Sequence, residues 1–171
     1  GADLTGVDLI GADLTNAKLF GVDLRQADLY QANLENAILD GADLRDTIME
    51  DVNLNHASLR HAYIYKTILA ETNFTNVDAS YSNFCGQDLT EKIFHNANLS
   101  GSNLAHTKMQ YTYLGTAILD ETNFEESNLV GSDFSGNSLK KVNFQAIFTK
   151  IPKKPRSDWY VCIVSESGEI I

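Results

Sequence analysis

Large apolar residues return at every fifth position of this chain from Leu4 to Phe144. Of 29 such positions, 28 hold Leu, Phe, Met or Ile, and Ala79 is the exception. A small residue stands two places ahead of each large one. From Ala2 to Val142, 26 of these 29 positions hold Ala, Val, Thr or Ser, and Gln87, Lys92 and Asn137 break the column. Between the two columns, 18 of 29 positions hold Asp or Asn, as in Gly11-Ala12-Asp13-Leu14-Thr15.

A period of five suits neither regular element. A helix would carry each successive large residue about 140° round its axis, and a flat strand would send it to the opposite face. The backbone must therefore turn once in every unit. Small and large residues two apart then face one interior across a very short extended piece, with the Asp or Asn between them facing out. Gly, Asn and Asp near the corners suit tight turns.

The unit A-(D/N)-L-x-x recurs as Ala12-Asp13-Leu14, Ala27-Asp28-Leu29, Ala32-Asn33-Leu34 and Ala97-Asn98-Leu99. It resembles the repeat of the pentapeptide-repeat family, in its bacterial and cyanobacterial style. The resemblance spans residues 1–148 and implies an all-β fold, a right-handed quadrilateral β-helix with four repeats in each 20-residue coil. At about 4.8 Å per coil, about seven coils would make a rod roughly 35 Å long. Its interior would hold four ladders of large side chains, one of them Leu4, Leu24, Leu44, Ile64, Phe84, Leu104, Phe124 and Phe144. Such an interior leaves no cavity for a small-molecule substrate.

The irregular positions call for local adjustment. Phe74 and Phe84 flank the Ala79 gap in sequence and are expected to fill its volume. Gln87 and Lys92 put polar groups at consecutive small positions. An unpaired ammonium in a dry core is expensive, so the coil from Cys85 to Phe94 is predicted to bulge or to turn Lys92 outward. The frame dissolves at Thr149, and residues 149–171 form a non-repeat tail with Pro152, Pro155 and a strand-like Trp159–Val164. A basic run from Lys140 to Arg156 carries six Lys and Arg and no acid. A solenoid exposes core and edges at its ends. The tail is therefore expected to cap the last coil, with docking to a partner or end-to-end and tail-mediated self-association as the alternatives.

Charge narrows the partners. A net charge of −10 disfavours nucleic acid phosphates and anionic membranes and leaves basic protein surfaces open. No run of 18 apolar residues and no signal-peptide pattern is present. Cys85 and Cys162 lie far apart, in no metal or redox spacing, which favours a cytoplasmic protein. The sequence opens at Gly1 inside a repeat, so a preceding segment is expected, and a targeting signal there would place the protein in an exported compartment or a host cell. On 20-residue stacking none of His56, His61, His95 and His106 lies above another, and no Cys or carboxylate set surrounds them. The GxSxG, P-loop and GxGxxG patterns are absent. The expectation is a protein with no catalytic residues, no metal and no cofactor.

Function then rests on outward side chains. In coil alignment His61, Tyr63 and Tyr65 share a coil, Tyr81 lies over His61, and Lys66 and Ile68 continue round the corner toward Ile48. These residues form the candidate binding face. A second patch, on the opposite wall, comprises Ile93, Tyr111 and Tyr113. Tyr and Ile also suit any β surface, so the patches alone do not establish a partner. The leading expectation is a scaffold that presents flat faces to a protein partner. The resemblance also implies an alternative, a DNA-mimicking modulator of the type II topoisomerase gyrase. Residues 1–51 carry 11 acids against 3 bases. Duplex DNA bears one charge per ~1.7 Å, so a ~35 Å length would carry about 20, twice the net charge of this chain.

Overall fold

The computed structural model describes residues 1–147. The sequence-predicted tail, 149–171, lies outside the described residues. With three exceptions, each residue of the Asp/Asn column pairs in parallel with the residue 20 places on, from Asp3 with Asp23 through to Asn123 with Asn143. Each side of a coil is thus a single bridged residue between two corners rather than a strand, and among the described residues no helix forms. Four sides close one coil. Face 1 begins with Asp3 and Asp23, face 2 with Asp8 and Asp28, face 3 with Asp13 and Asn33, and face 4 with Lys18 and Ile38.

The unit Ser102–His106 shows how five residues satisfy five N–H groups. Asn103 donates to the Ser82 carbonyl of the preceding coil, while Leu104 and His106 donate to Asn123 and Glu125 of the following one. Ser102 closes the corner by donating to Leu99 O at 3.0 Å. The Ala105 N–H remains, and it donates to the side-chain oxygen of Asn103 at 3.1 Å. All 18 Asp and Asn residues of the column make this bond to the N–H two residues on, at 2.8–3.3 Å. The Asp/Asn column is a set of Asx turns, a role beyond the outward-facing one expected from sequence.

The first residue of every unit from Gly6 to Ala146 is left-handed, with φ between 54° and 77°, as a type II turn requires at its third position. Only eight of these residues are glycine. Tyr81, Tyr111 and Thr116 are forced into the same conformation, which bulky and β-branched residues rarely adopt. Backbone bonds to the following coil hold the tyrosine corners, Tyr81 N–H donating to Ser100 O and Tyr111 N–H to Val130 O, and Thr116 Oγ1 ties its corner to Asn96 of the preceding coil.

The interior is filled by the large column, with Leu24, Leu44, Phe84 and Leu104 fully buried. At the Ala79 gap, Phe74 and Phe84 meet edge to face with centroids 5.8 Å apart, and Phe94 stacks on Phe74 at 4.8 Å. Buried hydroxyls of the small column reach carbonyls of the coil below, as Thr47 does to Leu24 O and Thr122 to Leu99 O.

Among the described residues, the 20-residue pairing is interrupted at Ile68/Asp88, Asn73/Ile93 and Ile118/Ser138. Each interruption directly follows one of the intruders Gln87, Lys92 and Asn137. A longer polar side chain in the small column holds the following residue off its neighbour. Gln87 and Asn137 offset the loss with their own amides, Gln87 Nε2 donating to Thr67 O and Asn137 Nδ2 to Ala117 O at 2.6 Å. The adjustment expected around Cys85–Phe94 takes this form: no residue bulges out of frame, two bridges are lost, and Lys92 is half-buried.

Candidate functional site

The fold gathers the six candidate residues on two adjoining faces of the rod and the corners that bound the first. Tyr63 stands on face 1 between Asp43 and Asn83, and Ile68 pairs with Ile48 on face 2. Tyr65 and Lys66 make the corner between them, with Lys66 Nζ 5.2 Å from the Tyr65 ring centroid. At the other edge of face 1, His61 and Tyr81 stack with centroids 5.2 Å apart and 11° between planes. All six are exposed, Tyr81 and Tyr63 by more than half. The Tyr81 ring leans over Gly101, where a Cβ would meet it at 2.5 Å, so the tyrosine and the glycine above it are matched.

The backbone under this wall departs from the rest of the coil. Tyr63 occupies an Asx-turn position but has no side-chain acceptor for the Tyr65 N–H. Among the described residues, Tyr65–Lys66 is the corner left as an open bend, where every other corner is a turn.

Arginines lie directly below. Arg45, one coil under Tyr65, bonds Asp43 at 2.5 Å, and Arg25 bonds Asp23 at 2.6 Å while reaching toward Asp43 at 3.7 Å. Arg60 pairs with Asp40 of the preceding coil. The Arg25 side chain bonded to Asp23 pulls that carboxyl down to about 2, and Arg45 lowers Asp43. Burial pushes Asp40 up, but donors from Arg60 and Ser58 outweigh it and bring it below its ordinary value.

Depressed carboxyls contribute stability above their unfolded pKa of about 4, and this is lost as pH falls through the folded values. The melting temperature is therefore expected to hold from about pH 7 to 5 and to fall between about pH 4 and 2. Arg25→Gln with Arg45→Gln should flatten that fall. An equally steep acid limb in the variant would show that the arginines do not set it.

On the opposite wall Ile93 pairs with Tyr113 on face 3, and Tyr111 stands at the adjoining corner. All three are exposed. The histidines remain scattered: His106 faces Glu126 at 3.2 Å, and His95 lies against Thr116. Among the described residues no three His, Cys, Asp or Glu side chains gather round a common point. No helix there is long and apolar enough to cross a membrane. Sequence reading found both patches but missed the open corner, whose one signal was Tyr in place of Asp or Asn at position 63.

Four-sided coils stacked in a 20-residue register, most of their corners capped by Asx turns, define a solenoid protein. The chain belongs to the pentapeptide-repeat family: the model for pentapeptide repeats matches in eight copies over residues 1–36, 27–64, 37–76, 67–104 and 117–146. Among solved structures it is similar to QnrB1, a plasmid-mediated fluoroquinolone resistance protein, with 18% identity and a TM-score of 0.64 over 86% of this chain and 79% of that one. It also matches HetL, a pentapeptide repeat protein involved in heterocyst differentiation regulation from the cyanobacterium Nostoc sp. strain PCC 7120. That match has 25% identity and a TM-score of 0.47 over 99% of this chain and 78% of HetL. No curated protein matches the chain.

Proposed function

We propose that this chain is a non-enzymatic scaffold that binds a protein partner through the wall formed by His61, Tyr63, Tyr65, Lys66, Ile68 and Tyr81. The observation that carries the reading is the open corner. The corner after Tyr63 lacks an Asx acceptor and is, among the described residues, the one left as a bend rather than a turn, and two exposed tyrosines stand side by side there. Aromatic residues bury large area with few rotamers to freeze, and so contribute strongly to interfaces. In this reading residues 1–148 are the presenting rod and 149–171 its cap.

Tyr63→Asn should restore the missing acceptor for the Tyr65 N–H and stabilise the rod by about 0.5–1.5 kcal/mol, the net worth of a typical hydrogen bond. Combined with Tyr65→Thr it should weaken recovery of native partners in a pull-down from the host while leaving the melting temperature unchanged or higher. Recovery equal to that of the parent would make the wall plain β surface and move the search to Ile93, Tyr111 and Tyr113.

One observation favours the second reading, a DNA mimic directed at gyrase. An Asx turn accepts Asn as well as Asp, yet the column up to Ile48 holds Asp at six positions and Asn at one. That acidity exceeds what the turns require. Against it, Arg25 and Arg45 neutralise Asp23 and Asp43 within their coils, and Arg60 neutralises Asp40 of the preceding coil. A gyrase supercoiling assay separates the two: inhibition that is lost when Asp3, Asp8 and Asp13 become Asn would establish mimicry.

A further inference from the structure

The two neighbouring interruptions of the coil ladder differ in consequence from the third. At Ile118/Ser138 the pairs on both adjoining faces, Tyr113/Asp133 and Asn123/Asn143, are kept, so that joint is held on either side. Between the coils 61–80 and 81–100, faces 2 and 3 both lose their pairs, while Tyr63/Asn83 on face 1 and Asp78/Asn98 on face 4 are kept. The joint is thus loosened along the corner between faces 2 and 3, where Phe74 N–H still donates to Ile93 O at 2.9 Å on face 3, and closed along the diagonally opposite one.

Side chains at the two corners act in the same sense. On the closed corner His61 of one coil stacks on Tyr81 of the next, 5.2 Å apart, and clamps the joint. On the open corner Glu71 and Glu91 occupy the same position in successive coils, two like charges one coil spacing apart. Gln87 bridges the gap with one amide hydrogen bond to Thr67 O, and its buried Oε1 is left without a partner.

We propose that this joint is a built-in bending point of the rod, opening at the Glu71/Glu91 corner and hinged on the His61–Tyr81 stack. The ladder alone carries this, whichever partner the walls bind. Its consequence for binding is directional. The hinge stack belongs to the Tyr63 wall, whereas Ile93 and Tyr113 ride on the far side of the opening, so bending changes the angle between the two walls. A partner that grips His61 and Tyr81 would lock one angle, and a partner that pries them apart would free the joint.

Residue-resolved amide hydrogen exchange on the full chain, corrected for intrinsic rates, tests the hinge. The Asp88 and Ile93 amides are expected to exchange at least about tenfold faster than those of Asn83 and Asn98, which lie in the same coil on the closed faces. Gln87→Ala with Lys92→Thr puts the column's usual residues back and should bring all four rates within a few-fold of one another. Equal rates in the parent chain would overturn the proposal without recourse to the variant, as would a difference that survives in a folded variant.

Discussion

Ala79→Leu, which would complete the column of large residues, is expected to destabilise the rod by about 1–3 kcal/mol. The repeat consensus argues for the opposite sign, since 28 of 29 equivalent positions hold a large side chain. Packing decides otherwise. Phe74 and Phe84 project from opposite faces and meet edge to face at 5.8 Å, with Phe94 stacked on Phe74 at 4.8 Å. Ala79 beside them is 1% exposed. A leucine there must displace aromatic rings that already touch one another, and close-packed interiors do not absorb three extra carbons without strain. Because the two positions share one volume, Phe84→Leu should rescue the variant. The double change is expected to be more stable than the sum of the single effects allows. A higher denaturation midpoint for Ala79→Leu alone would show instead that the gap is empty.

Asn103→Ala is expected to cost about 1–3 kcal/mol, the penalty of leaving a buried donor unsatisfied. The residue is only half-buried, so its own burial is not the reason. Its side-chain oxygen accepts the N–H of Ala105, which is 5% exposed and has little access to water. The same oxygen accepts Asn123 Nδ2 at 3.3 Å, and Asn103 Nδ2 donates to Asn83 at 3.4 Å, so the substitution also cuts the ladder. Asn103→Asp keeps the turn acceptor and should lose much less. Chemical denaturation of the three proteins checks the order; equal losses for Ala and Asp would locate the cost in the ladder rather than in the turn.

These two cases mark the boundary of what the sequence makes legible. The period, the two inward columns and the 20-residue stacking follow from residue size alone, because a ladder can be filled only by recurring side chains. Gln87, Lys92 and Asn137 were visible as exceptions for the same reason, and the structure places an interrupted bridge after each. The repair by side-chain amides was not visible, since it depends on which carbonyl the interruption frees. The turn role of Asp and Asn was hidden by their exposure: a residue can face solvent and still fold its oxygen back onto the backbone. Tyr81, Tyr111 and Thr116 in left-handed corners contradict local preference, and bonds to neighbouring coils explain them, through the backbone for the tyrosines and through Oγ1 for Thr116. The wall at Tyr63 was found by its aromatic side chains, whereas the open corner beneath it is a backbone feature that no column displays.

The central claim is that partners bind at this wall. Hydroxyl-radical footprinting of the chain, alone and saturated with a partner recovered by the parent protein, tests it most directly. The account predicts that oxidation of Tyr63, Tyr65 and Tyr81 falls sharply in the complex while Tyr113 and Ile93 react as before. Unchanged reactivity at the three tyrosines, with protection at Tyr113 or along Ile10 and Tyr30 instead, would contradict it.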